Sequence, residues 1–142
     1  MRDKEFYLNS ILSVKQSVYN GSPNMAKPLL ILCIIECIDN RTLLDNRIIL
    51  DSLCPVYERI QCRYKITRLG KIAYPFYYLA SESFYHLRWK EHYIKSTPSN
   101  KFLNENVNYA FLDDELWNIL QNDAVRNEFK KAIEDKFFIS RN

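Results

Sequence analysis

Four cysteines and two histidines are the first candidates for chemistry, because thiolate and imidazole bind zinc and activate nucleophiles. Cys33, Cys37, Cys54 and Cys62 show no C-x-x-C spacing, and His86 and His92 form no H-x-x-x-H pair. Cys33 and Cys37 share one face of an apolar helix, which favours buried, reduced thiols over zinc ligands. The run Asp113-Asp114-Glu115 could hold a divalent metal, yet a helix start accounts for it, since carboxylates there meet the positive end of the helix dipole. Neither histidine has a nucleophile or a carboxylate dyad set around it, and no glycine-rich loop is present to cradle a nucleotide. No catalytic set emerges, and neither a metal nor a cofactor is expected.

What remains is a basic surface interleaved with aromatic side chains. Residues 72–87 carry Tyr74, Pro75, Phe76, Tyr77, Tyr78, Phe84 and Tyr85. Arg59, Arg63, Lys65, Arg68 and Lys71 precede this stretch closely, and Arg88 and Lys90 follow it. The net charge of +3 is unevenly spread: residues 51–101 hold 9 Lys+Arg against 4 Asp+Glu, whereas residues 102–142 hold 5 against 8. Cations neutralise phosphates while rings and apolar groups discriminate, so this pattern suits a polyanion-binding face. An aromatic-rich core with a solvated basic rim gives the same composition, and the residues alone leave both readings open.

At 142 residues the chain is expected to form one domain with a real core. Tyr7, Ile11, Val14 and Val18 recur at helical spacing and predict an amphipathic helix over residues 4–19, ending near Asn20-Gly21. Residues 22–27 read as a loop, after which Pro28 opens a second helix whose body, LLILCIIECI, is apolar nearly all round. Such a helix must be central. Asp51 or Ser52 is expected to cap a third helix carrying Leu53, Tyr57, Ile60 and Tyr64, with Pro55 tolerated in or beside the first turn. Pro75 starts a short helix, and residues 83–89 alternate as a strand that would pair with Tyr93-Ile94. Residues 102–109 are expected to be helical. Asp113 and Asp123 each cap a later helix, the last one burying Phe129, Ile133 and Phe137. With only Gly21 and Gly70 available, Asn and Asp should take most turn positions. The expected fold class is mainly α (α+β), a compact helical domain around a central apolar helix with one small β-hairpin.

Four sequence blocks resemble the DNA sulfur-binding domain of phosphorothioate-dependent McrA-type restriction endonucleases, which carry that domain beside an HNH nuclease. They are Ala26-Lys27-Pro28-Leu29-Leu30-Ile31-Leu32; Asn46-Arg47-Ile48; Tyr74-Pro75-Phe76-Tyr77-Tyr78-Leu79 followed by Phe84-Tyr85-His86-Leu87; and Ala110-x-Leu112-Asp113-x-Glu115-Leu116, continuing to Arg126 and Lys136-Phe137-Phe138. The resemblance implies recognition of double-stranded DNA in which sulfur replaces a non-bridging phosphate oxygen. On that basis Tyr74 and Pro75 would form the wall of a sulfur pocket and Tyr78 its rim. Lys27 would meet phosphate, and Ser22, Asn24 and Ala26 would belong to the adjoining loop. Arg63, Arg68, Lys71, His86, Arg88 and Lys90 would complete the DNA-facing set.

Nothing resembling an HNH motif follows the domain, so the chain is expected to bind DNA without cutting it, either as part of a larger restriction enzyme or as a reader that recruits a nuclease domain or subunit. The start MRDKEF has no apolar segment behind it, and the apolar run at residues 28–37 is interrupted by Glu36 and too short for a bilayer. A cytoplasmic protein without a membrane partner is expected. Two alternatives stand beside this reading: a protein-interaction module of a defence system, and a general double-stranded DNA binder indifferent to sulfur. A third, an HNH-type nuclease with unrecognised catalytic residues, predicts metal-dependent cleavage.

Overall fold

Residues 2–66 and 70–138 are described by the computed structural model. Asp3 opens α1 (Lys4–Leu12) by accepting a hydrogen bond from the Phe6 amide, an ordinary N-cap. The helix stops at Leu12, well short of the predicted end at residue 19. Asn20 (φ 51°) and Gly21 (φ 79°) form a two-residue turn of the kind that matches strand twist, and they draw their neighbours into a hairpin of β1 (Val18–Tyr19) and β2 (Ser22–Pro23). Val18 is consequently exposed instead of sitting on a buried stripe.

The hub is α2 (Ala26–Asp39). Leu29, Leu30, Leu32, Cys33, Ile35 and Cys37 are all essentially without exposure, as an all-round apolar sequence demands. Pro28 falls in the first turn, where its missing amide hydrogen breaks no intrahelical bond. Around α2 pack α3 (Leu50–Arg63), α4 (Ala73–Tyr78) and α7 (Asp123–Ile133). Helix α3 begins at Leu50 with Ile49 as its N-cap, so neither Asp51 nor Ser52 caps it and Pro55 lies in the second turn. The carbonyl deprived of its partner there belongs to Asp51, an exposed residue that water can reach. Its buried stripe is Leu53, Val56, Tyr57 and Ile60.

A second small sheet replaces the expected local pairing. Strand β3 (Tyr85–Trp89) runs antiparallel to β4 (Val107–Leu112), not to Tyr93-Ile94. The predicted helix over residues 102–109 is divided: α5 (Asn100–Asn106), capped by Ser99, gives way to β4, where Val107, Ala110 and Leu112 turn inward. A bulge that skips Asn108 lets Val107 join Ala110 and Leu112 on the inner face, and Ile48 adds a bridge to Ala110 on the strand's other side.

After β4 come α6 (Asp114–Ile119), α7 and a short π-helical segment, Glu134–Phe138. Asn122, not Asp123, caps α7 by accepting from the Val125 amide. Arg126 is buried and donates to the Leu120 carbonyl (2.8 Å), to Asp39 (3.0 Å) and to Asp123. Hydrogen bonds from Arg126 and Lys130 hold the Asp39 carboxyl below its usual range. Phe129, Ile133 and Phe137 are buried as the spacing predicts.

The mainly α expectation holds, with two two-stranded sheets among the described residues instead of one local hairpin. Left-handed backbone falls to Arg41 and Lys65 as well as to Asn20. Cys33 and Cys37 are buried as expected, whereas Cys54 is half-buried and Cys62 exposed; none of the four is in a disulfide. No helix among the described residues is long and apolar enough to cross a membrane.

One buried polar contact ties β3 to α4: the Tyr85 hydroxyl donates to the Phe76 carbonyl at 2.6 Å. Tyr85 has no exposure, and burial pushes its phenol pKa well up, so the proton stays on the donor. Tyr85→Phe should therefore lower stability by about 1–2 kcal/mol through loss of this buried hydrogen bond. Chemical denaturation checks this, and a change below about 0.5 kcal/mol would show that the contact is dispensable.

Candidate functional site

Helix α4 and the 3-10 turn that follows it, Leu79–Ser81, divide the aromatic stretch by face. Phe76, Leu79 and Phe84 are fully buried, and Leu87 packs against the core from a half-buried position. Tyr74 and Tyr78, four positions apart on α4, stay 41% and 48% exposed and lie almost parallel, with ring centroids 6.4 Å apart. Behind Tyr74 the backbone comes close at Gly70, where an added Cβ would stand only 3.0 Å from the ring. A side chain at position 70 would therefore crowd the ring.

Tyr74, Pro75 and Tyr78 form one wall of a cleft of about 480 Å³. Asn24, just before α2, and Ala26 and Lys27 in its first turn also line it, with Lys15, Gln16 and Ser17. Pro75 is buried from bulk solvent yet lines this cleft. Side-chain and backbone bonds hold Asn24 and Lys27 in place. Asn24 accepts from the Ala26 amide (2.8 Å) through its side chain and from Gln16 Nε2 (2.9 Å) through its carbonyl, while its own amide donates to Ser17 (2.7 Å). Lys27 Nζ reaches across to Ser81 Oγ (3.2 Å) and to Glu82 Oε2 (2.9 Å).

The structure thus gathers Asn24, Ala26, Lys27, Tyr74, Pro75 and Tyr78 from two separate segments of the sequence into one concavity. Ser22 is exposed on β2 and falls outside the lining. Lys71 is exposed in the turn leading into α4, where its carbonyl accepts from the Tyr74 amide. Arg63 is not brought to the cleft: Glu36 on α2 holds its guanidinium with two hydrogen bonds (2.6 and 3.3 Å), and it lies over the Tyr64 ring. Arg68 lies outside the described residues. Arg88 is exposed on β3 opposite Tyr109, and Lys90 Nζ donates to the Asn104 carbonyl (2.9 Å), away from the cleft lining.

His86 lines a second groove of about 850 Å³, which adjoins the cleft through the shared residues Tyr78 and Ser81. This groove is walled by Tyr77, Trp89 and Tyr93, with Lys95 beside them. Lys15, Gln16, Ser81 and Lys95 are lining residues that sequence reasoning passed over. The Asn20-Gly21 turn was the available signal for the first two, because a two-residue hairpin returns residues 15–17 to the side of residues 22–24.

Asp113 stands at the N-terminus of α6 but makes no side-chain capping bond. Instead it gathers three donors from elsewhere: Arg2 (2.9 Å), the Tyr7 hydroxyl (2.8 Å) and His86, whose Nε2 lies 2.6 Å from Oδ1. Burial pushes the Asp113 carboxyl up, but hydrogen bonds from His86, Tyr7 and Arg2 outweigh it and hold the group below its usual range. Burial and the same carboxylate push the Tyr7 phenol up to about 12. The cluster is a clamp joining the N-terminal segment and the start of α6 to β3. Among the described residues, no group of three or more His, Cys, Asp or Glu gathers to hold a metal ion.

No family model matches the chain, and no curated protein matches it by sequence. Solved structures do match in fold. The sulfur binding domain of ScoMcrA complexed with phosphorothioated DNA superposes with a TM-score of 0.74 at 16% identity, covering 93% of this chain and 87% of that one. The sulfur binding domain of SprMcrA complexed with phosphorothioated DNA gives 0.68 at 13% identity, covering 98% and 88%. ScoMcrA itself, a Type IV phosphorothioation-dependent restriction endonuclease, gives 0.72 at 15% identity; the match covers 93% of this chain and 29% of that one. At such identities the likeness is one of fold, and it is the fold that the four sequence blocks implied.

The depressed Asp113 pKa fixes the sign of an acid effect. Its contribution to stability is full above the ordinary carboxylate pKa of about 3.9 and is lost as pH falls through the lower folded-state value. The stability gap between the parent and Asp113→Asn should therefore be open at pH 5 and narrow progressively as pH falls below about 3.9. A gap that does not narrow, read by denaturant titration, would remove this role.

Proposed function

We propose that this chain recognises double-stranded DNA carrying a phosphorothioate, seating the sulfur against Tyr74 and Pro75 with Tyr78 at the rim. The single observation that carries this reading is the cleft: proline and tyrosine rings and Lys27 line one concavity of about 480 Å³, on a fold shared with sulfur-binding domains. Asn24 and Ala26 line it as well. Lys27, with Lys71, His86 and Arg88 farther out, supplies cationic or polar contact to the flanking backbone. Lys90, tied to Asn104, and Ser22, on the hairpin, are peripheral.

The discrimination is within reach of ordinary desolvation. A phosphate oxygen is a strongly hydrated acceptor, and placing it against rings that offer no donor costs about 1–3 kcal/mol. Sulfur is larger, softer and a poorer acceptor, so it gives up less water and gains dispersion contact. Burying about 40 Å² of it adds about 1 kcal/mol. The sum is a preference of a few kcal/mol without any charge reading the sulfur. Most of the affinity, and its dependence on salt, comes from the cations.

In this reading the chain is a reader, and any cutting belongs to a nuclease domain or subunit. Incubation with plasmid DNA and magnesium or manganese should leave the DNA intact; metal-dependent nicking by the chain alone would overturn the non-catalytic assignment.

The decisive comparison is a gel shift of one duplex without sulfur and with a single phosphorothioate of each stereoisomer. One stereoisomer should bind at least tenfold more tightly than the unmodified duplex. Equal affinity for all three would leave a general DNA binder and end the sulfur reading. Pro75→Ala should shrink the preference more than Lys71→Ala, which should lower affinity for every duplex alike.

A further inference from the structure

The cleft holds one anionic side chain at its edge, and its bonds are those a phosphate would make. Glu82 follows the 3-10 turn, and a single oxygen, Oε2, accepts from Lys27 Nζ (2.9 Å) and from the backbone amide of Lys15 (3.1 Å). The pair is largely withdrawn from solvent, with side-chain exposures of 16% for Lys27 and 14% for Glu82. Lys27 also donates to Ser81 Oγ, so its ammonium is already satisfied on the cleft side. Lys15, Lys27 and Ser81 all line the cleft. An ammonium and a backbone amide converging on one oxygen make a charge-assisted anion site.

We infer that Lys27 and the Lys15 amide form a phosphate site which Glu82 occupies in the free protein, so that DNA must displace this carboxylate before its backbone can dock. The inference rests on the DNA-binding reading above and adds the residue that sets its threshold. Displacement gives up a well-desolvated ion pair, and it does so for any duplex, modified or not. Affinity is therefore lowered for both. Only a duplex that also fills the apolar wall regains enough to bind firmly, which keeps ordinary DNA off the domain. The device complements the sulfur pocket: the pocket creates the difference between duplexes, and Glu82 sets where that difference falls on the concentration scale.

Glu82→Gln is the direct test, because glutamine keeps an acceptor for the Lys15 amide and removes only the charge. Its affinity for the unmodified duplex should rise at least threefold, and the slope of log affinity against log salt should steepen by about one, as Lys27 becomes a net phosphate contact. In a Lys27→Gln background the same change should have little effect, since the competition requires both partners. If Glu82→Gln tightens binding equally without Lys27, the carboxylate acts only as a general repulsive charge and the inference falls. Unchanged or weakened binding by a folded Glu82→Gln protein overturns it as well. A readout free of DNA uses inorganic phosphate and the amide resonance of Lys15. The shift should saturate at several-fold lower phosphate in Glu82→Gln than in the parent, and a resonance that does not move in either protein overturns the site. Failure of the sulfur reading shows separately, as equal affinity of the parent for modified and unmodified duplexes.

Discussion

The constraint on which the structure depends is the burial of α2. A helix apolar on every side has no face to offer water, so the fold must cover it around its whole circumference. Helices α3, α4 and α7 do this, and α1 and the second sheet close the remaining gaps with Tyr7, Ile11, Tyr85 and Ala110. The cover stops at the first turn. There Lys27, half-buried in the first turn of α2, lines the cleft together with residues of α4 and of the segments flanking the hairpin. The cleft is where the wrapping of a hydrophobic rod ends, and its polar contents follow from that position.

The parts of the fold legible in the sequence are those in which residues act on near neighbours. The apolar run of α2 and the inward stripe of α7 follow from local periodicity, whereas the aromatic stretch has no clean period and the outward place of Tyr74 and Tyr78 is implied by the family resemblance. Misplaced elements mark competition between two local signals. Helical spacing continues through Val14 and Val18, yet Asn20-Gly21 imposes a tight reverse turn, and the turn prevails because its two left-handed residues are backbone requirements. The predicted helix over residues 102–109 fails for a different reason: β4 is stabilised by β3 and Ile48, partners that no local window contains.

The site was legible to the same degree. The Tyr-Pro pair and Lys27 belong to recognisable blocks, and the structure brings them together. Their governors are non-local. Glu82 lies 55 positions from Lys27, and Asp113 lies 106 positions from Tyr7. Asp113 shows the hazard of reading a carboxylate from its neighbours alone. Its position matches an N-cap, but three donors from other elements claim both oxygens first. Arg63 shows the converse, a cation in a basic segment that an internal carboxylate, Glu36, has already taken. Counts of charge along the chain cannot separate such committed groups from available ones.

The placement of Tyr74 and Tyr78 on the open face of α4 has a consequence for how this kind of domain can diversify. Both rings project away from the packed interior, whereas the residues between and after them, Phe76, Tyr77 and Leu79, carry the packing. Replacement of the outward pair alters the surface lining the cleft and leaves the interior volume untouched. The same packed interior can therefore carry a different surface, because the side chains that fill the core and those that line the cleft are different residues of one short helix.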